Sequence, residues 1–149
     1  MPTPPPQPTS EQLAALADVI LDLAHKLDIR HPKLRDVVPL TGTEVAVIRE
    51  VHRHPNVTPS QLAAATGLHR SNISTAVRTL ETGGLVVREQ VPDDARSITL
   101  TPTPRAAESV ARINAYWVDR LTETPPEALA EAVAALNSLR RIAASLGVD

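Results

Sequence analysis

The sequence predicts a mainly α-helical chain, about six helices, in which a helical hairpin runs straight into a β-hairpin. Three observations predict it. Apolar residues recur three and four apart over most of the chain, the first stripe being Leu13, Leu16, Ala17, Ile20, Leu23, Ala24 and Leu27. Threonine followed three residues later by Glu or Gln occurs at Thr41–Glu44, Thr58–Gln61 and Thr124–Glu127, a reciprocal cap for the free amides of a helix start. The β-branched runs "LVVREQV" and "RSITLT", separated by Pro92 to Ala95, read as two strands and a turn. With no Phe, one Tyr and one Trp in 149 residues, the core of this single domain must be aliphatic.

In chain order, residues 1–9 ("MPTPPPQPT") are a Pro-rich tail that forms neither helix nor sheet and reads as disordered. Helix one spans Ser10 to Ile29, and residues 30–39 are a connection broken by Pro32 and Pro39. Helix two starts at the Thr41 cap, with Leu40 and Val45 placed as a hydrophobic staple. Val45, Ile48 and Val51 face inward, and His52 is expected with them. Helix three takes Thr58 as cap and Pro59 as first residue, and Gly67 ends it. Helix four opens at His69 or Arg70 and stops at Gly83–Gly84. Helix five begins at Thr103–Pro104 with Val110, Ile113, Trp117 and Leu121 on one face, and helix six runs from Thr124–Pro125 to Gly147.

Helix, helix, tight turn, helix, hairpin is the order of a winged helix-turn-helix. Ala63 is small where two helices would cross, Gly67 takes the turn, and Ile73 plugs the junction. On helix four, Ile73, Ala76, Val77 and Leu80 point inward. Arg70, Ser71, Asn72, Ser74, Thr75, Arg78 and Thr79 are left outside. A solvated helix face favours Glu, Lys and Gln, whereas Ser, Thr and Asn are poorer helix formers. An acid-free face of arginines, hydroxyls and an amide suits the DNA major groove, where arginine forks onto guanine and asparagine onto adenine. A polar face that merely drifted toward Ser and Thr is the plain alternative. At the wing, Asp94 and Arg96 stand two apart and can pair on one side of the turn. Asp94 would shape the turn while Arg96 reaches into the narrow minor groove.

"LTGTEVAVIREV", "TPSQLAAATGLHRSNISTAVRTLETGGLVVRE" and "PDDARSITLTP" resemble consecutive blocks of the MarR family of bacterial transcription regulators, over Leu40 to Arg105. Its most specific parts here are Leu80-Glu81-x-x-Gly84-Leu85 and Asp94-x-Arg96. The resemblance implies a homodimer whose first and last helices interlock. It also implies two recognition helices (69–82) in successive major grooves of a near-palindromic operator, and wings (85–101) in the flanking minor grooves. Arg70, Ser71, Asn72, Thr75 and Arg78 would then face the groove, with Arg96 at the wing tip. Ala95 stands where the family often carries a second basic residue, and Pro104 where "LTxxG" usually closes. Residues 40–102 would form the DNA-binding head, and residues 10–39 and 103–149 the dimerisation helices. The dimer also follows from the residues, because helices one, five and six carry apolar stripes with nothing else in the chain to cover them.

Net charge is −2, but residues 41–105 hold seven basic and six acidic groups while both flanks are net acidic. Without cysteine there is no disulfide and no thiol sensor. No apolar run reaches a membrane span and no leader opens the chain, so a soluble, cytoplasmic protein is expected. His25, His31, His52 and His54 show no ligand-pair spacing, and neither metal nor cofactor is expected. No glycine-rich phosphate loop or nucleophile–base signature suggests an enzyme. Many relatives release DNA on binding a small phenolic or lipophilic anion. Such a pocket here would be aliphatic, with His25, Arg30, His31 or Trp117 nearby. The alternative function is a winged-helix module for protein contacts without specific DNA binding. The arginines and hydroxyls on helix four favour DNA, with repression as the expected outcome.

Overall fold

The computed structural model describes residues 6–27 and 38–146. The first five tail residues, the end of helix one at Ile29, most of the 30–39 connection and Gly147 lie outside the described residues. The elements are α1 (Ser10–Lys26), α2 (Gly42–Arg53), α3 (Pro59–Thr66), α4 (Arg70–Thr82), β1 (Val86–Val91), β2 (Asp94–Pro102), α5 (Pro104–Thr122), α6 (Pro126–Ala134) and α7 (Leu136–Ser145).

Two of the three expected caps form as reciprocal pairs. The Thr41 amide donates to Glu44 Oε2 at 2.8 Å and the Glu44 amide to Thr41 Oγ1 at 3.3 Å. Thr58 and Gln61 do the same at 2.9 and 3.2 Å. A further reciprocal pair, Thr9 with Gln12, starts α1. The third expected cap does not form. The Thr124 hydroxyl donates backward to the Leu121 carbonyl at 2.6 Å, closing α5 rather than opening α6. The last helix is also two helices, because Ala135 sits at ψ −3° between α6 and α7. The described residues therefore hold seven helices, one more than the pattern suggests.

The α2 helix is the hub: α3, α4, α5 and β2 all pack on it. Val45, Val47, Ile48 and Val51 are buried, a wider arc than one stripe, because neighbours lie on several sides. His52 is not among them. His52 and Arg53, the last two residues of α2, and the C-cap His54 are all exposed. Leu40 packs beside Val45 as the staple requires. The main core joins α2, α3, α4, the wing base and the first half of α5 through Ile48, Leu62, Ile73, Leu80, Leu100 and Ala106. A smaller cluster of Val38, Val45 and Ile113 has Tyr116 and Trp117 against it. The described core contains no polar side chain.

The recognition helix ends in a Schellman motif. The Leu85 amide donates to the Leu80 carbonyl at 2.9 Å and the Gly84 amide to Glu81 at 3.0 Å, with Gly84 at φ +70°. Leu80 and Leu85, the residues that such a motif brings together, are both buried. That is the physical content of "LETGGL". Replacing Gly84 by alanine puts a Cβ at positive φ and is expected to cost about 1 kcal/mol, read from urea unfolding of the two proteins.

By contrast, α1, α6 and α7 bury no residue at all. Leu16 and Ile20 remain 40% and 42% exposed, and Leu139 and Ile142 38% each. No described helix is long and apolar enough to cross a membrane.

A candidate nucleic-acid interface

Arg70, Ser71, Asn72, Ser74, Thr75, Arg78 and Thr79 are all exposed, while Ile73, Ala76, Val77 and Leu80 anchor α4 in the core. The outer residues are not equivalent. Arg70 Nη2 reaches across the helix-turn-helix to Ser60 Oγ on α3 at 3.4 Å. Asn72 and Thr75 line a cleft whose other wall is Thr41, Thr43 and Glu44 at the start of α2. The Thr75, Thr79 and Thr82 hydroxyls donate to the carbonyls four residues back, at 3.0, 3.2 and 2.9 Å. Sequence reasoning misses Thr43 and Ser60. Only their proximity in space to α4 brings them to the site.

The helix is held at both ends. Gly67, at φ +69°, makes the turn into it. At its exit, the Arg105 Nη1 donates to the Gly83 carbonyl at 3.1 Å and the Thr103 hydroxyl to the Gly84 carbonyl at 2.7 Å. Arg88 of β1 meets Glu81 at 3.4 Å, tying the wing to the helix.

The wing is an antiparallel pair with an irregularity at its tip. Val86 pairs with Pro102 and so on up to Gln90 with Ile98, but Val91 pairs with Asp94. Ala95, Arg96 and Ser97 are thus bulged out without opposite residues. The turn itself is only Pro92 and Asp93, shorter than the expected 92–95, and Asp93 takes φ +70°. Proline followed by a left-handed residue is the order of a type II turn. The expected Asp94–Arg96 side-chain pairing is replaced by something tighter. Asp94 Oδ1 accepts the Arg96 backbone amide at 3.1 Å and Oδ2 the Ser97 hydroxyl at 2.5 Å. Those bonds, the Ser97 hydroxyl first, hold the Asp94 carboxyl below its ordinary pKa. The Arg96 guanidinium stays exposed on the bulge and has no carboxylate partner among the described residues. Of the alternating β2 residues, Leu100 is buried and Ile98 only half-buried.

Behind the head is a cavity of about 500 Å³, lined by Ala24 and Leu27 of α1, Val45, Ala46 and Arg49 of α2, and Trp117 and Leu121 of α5. The Trp117 indole N–H donates to the Leu27 carbonyl at 3.1 Å, and the Arg49 guanidinium stacks 4.3 Å over its ring. Burial, then repulsion from Arg53, pulls the Arg49 pKa below its ordinary value, against the pull of Glu50. It remains a cation, since arginine titrates far above neutrality. Trp117, which sequence places near such a pocket, lines this cavity. His25 is not among its lining residues, and Arg30 and His31 lie outside the described residues. Among the described residues no three His, Asp or Glu side chains gather as a metal site would require.

The MarR family model matches residues 38–97, from just before α2 to the wing bulge. A solved structure of MarR is 26% identical, covers 88% of this chain and 94% of its own, and superposes with a TM-score of 0.63. The head of this chain is thus similar to the MarR family, and its fold is that of MarR. Apo MarR from E. coli, at 16% identity, shares the fold with a TM-score of 0.70 over 83% of this chain and 96% of its own. FabT of Streptococcus pneumoniae, solved in complex with DNA, is 20% identical with a TM-score of 0.56 over 89% of this chain and 92% of its own. A transcriptional regulatory protein assigned to the hcr operon of Thauera aromatica is 36% identical over 67 residues, 45% of this chain. The match spans 40% of that relative's length. The MarR architecture of mainly helical chain and two-stranded wing is thus the fold expected from sequence.

Proposed function

We propose that this chain is a non-enzymatic, homodimeric transcriptional regulator of the MarR family that binds a near-palindromic operator in the cytoplasm and represses from it. The α4 face and the Arg96 wing tip make the DNA contacts. The observation that carries this reading is the outer face of α4. Seven exposed side chains on it are Arg, Ser, Thr or Asn, and no acid stands among them until Glu81, which is tied to Arg88. Phosphates and base edges are the partners such a face satisfies. The bare apolar faces of α1, α6 and α7 supply the dimer surface. Two-fold symmetry then sets half-sites ~34–36 Å apart or a multiple. The cavity under Arg49 suits a small planar lipophilic anion, whose charge the half-buried guanidinium would meet. Its walls come from both α1 and α2, so an occupant would shift the head relative to the dimer helices.

The test is the anisotropy of a dye-labelled duplex from immediately upstream of the gene, against a scrambled duplex, across a salt series. Preferential binding is expected, with log affinity falling against log salt at a slope of about −5 if ~6 phosphates are neutralised. Arg96→Ala is expected to weaken the upstream complex by ~1–3 kcal/mol for each wing and leave the dimer intact. Unchanged affinity in that variant removes the wing from the interface. Equal, weak binding to both duplexes would favour a winged-helix module for protein contacts.

A further inference from the structure

We infer that the two arginines of α4 have different tasks: Arg78 reads a base, and Arg70 holds a backbone phosphate. The inference rests on the DNA-binding reading above and assigns roles within that face.

The helix geometry divides the exposed residues. At 3.6 residues per turn, Ser71 and Arg78, seven apart, nearly superpose on the crest opposite Ile73, Ala76, Val77 and Leu80. Ser74 lies beside that crest. Arg70 is one step round from Ser71, toward the Val77 side, and its guanidinium is drawn further off by Ser60 Oγ at 3.4 Å. Ser60 is the second residue of α3, so Arg70 stands at the mouth of the helix-turn-helix rather than over the crest. On the opposite flank, Asn72 turns into the cleft with Thr43 of α2. Thr75 shares the crest, but its hydroxyl proton is donated to the Ser71 carbonyl at 3.0 Å, so it has no proton for a base acceptor.

Arg78 is then the crest's one forked donor. Its guanidinium is exposed and has no carboxylate partner among the described residues. A fork that enters the groove centrally meets the O6 and N7 of guanine, whereas a guanidinium at the rim meets phosphate. Sequence alone treats the two arginines alike; the Ser60 contact and the cleft separate them.

The experiment is selection of bound duplexes from a pool with a randomised centre, sequenced for wild type, Arg70→Ala and Arg78→Ala, with a salt series on the preferred duplex. Both side chains are exposed, and thermal unfolding checks that each variant keeps the wild-type fold. Arg78→Ala is expected to erase a guanine preference of about five- to a hundredfold at one position per half-site. Arg70→Ala is expected to weaken all duplexes alike and to flatten the salt slope by about 1 per subunit, with the sequence preference kept. Relaxed preference in Arg70→Ala, or uniform weakening in Arg78→Ala, overturns the assignment. If the wild type itself enriches no sequence, the DNA-reading proposal fails before either variant is considered.

Discussion

Leu80→Ala is expected to destabilise the protein by about 2–5 kcal/mol, the range for emptying a fully buried leucine site. Leu80 is fully buried and belongs to the main core with Val47, Ile48, Leu62 and Ile73. Its carbonyl also accepts the Leu85 amide that closes α4, and its side chain is the one that Leu85 meets across the Schellman motif. The truncation therefore opens a gap under the exit of the recognition helix, where collapse is resisted by the bonds that the Thr103 hydroxyl and the Arg105 guanidinium donate to the Gly84 and Gly83 carbonyls. Urea unfolding at one fixed protein concentration measures it, because the apparent stability of the proposed dimer would depend on concentration. A loss under about 1 kcal/mol would mean that α4 settles into the gap, and the exit would be softer than its hydrogen bonds imply.

Leu139→Glu is expected to leave the fold of each chain intact and to separate the dimer. Leu139 is 38% exposed on α7, a helix with no buried residue, so a carboxylate there meets only water in the single chain. In the proposed dimer it would be desolvated among Leu136, Ile142 and the aliphatic face of α1, which is strongly unfavourable for an unpaired charge. Sedimentation would report the mass of one chain. Two half-sites would then no longer be held by linked heads, so affinity for the operator is expected to fall by ~10²–10⁴-fold. A variant that sediments as a dimer would place the subunit contact elsewhere.

Local signals are legible in the sequence wherever the structure answers to local chemistry. The Thr41 and Thr58 caps, the Leu40–Val45 staple, the Gly67 turn and the four inward residues of α4 depend on neighbours within a few positions. The failures have tertiary or competing causes. Thr124 has the right spacing for a cap, but the end of α5 leaves the Leu121 carbonyl within reach and takes its hydroxyl. His52 fits the apolar arc of α2 by periodicity, yet it is the second-last residue of the helix, and it, Arg53 and the C-cap His54 are exposed. The break at Ala135 is marked by neither Gly nor Pro, so nothing local announces it. At the candidate site, the exposed residues of α4 are readable from their spacing. Ser60, Thr43 and Arg49 are not, because each acquires its role from a residue on another helix that packing brings beside it. The wing lies between these cases. Its strands are visible, but Asp94 gripping a backbone amide and a hydroxyl, rather than the guanidinium, depends on a bulge that only strand register reveals.

The chain has one tryptophan, one tyrosine and no phenylalanine, and that tryptophan is the ring under Arg49. Ultraviolet emission excited at the red edge of the indole band therefore comes from a single side chain. It sits in the wall of the cavity, against a cation and bonded to the last turn of α1. A molecule entering the cavity, a loosening of α1 or the unfolding of α5 would each change that emission. The protein thus carries its own optical probe where α1, α2 and α5 meet, with no dye and no engineered residue.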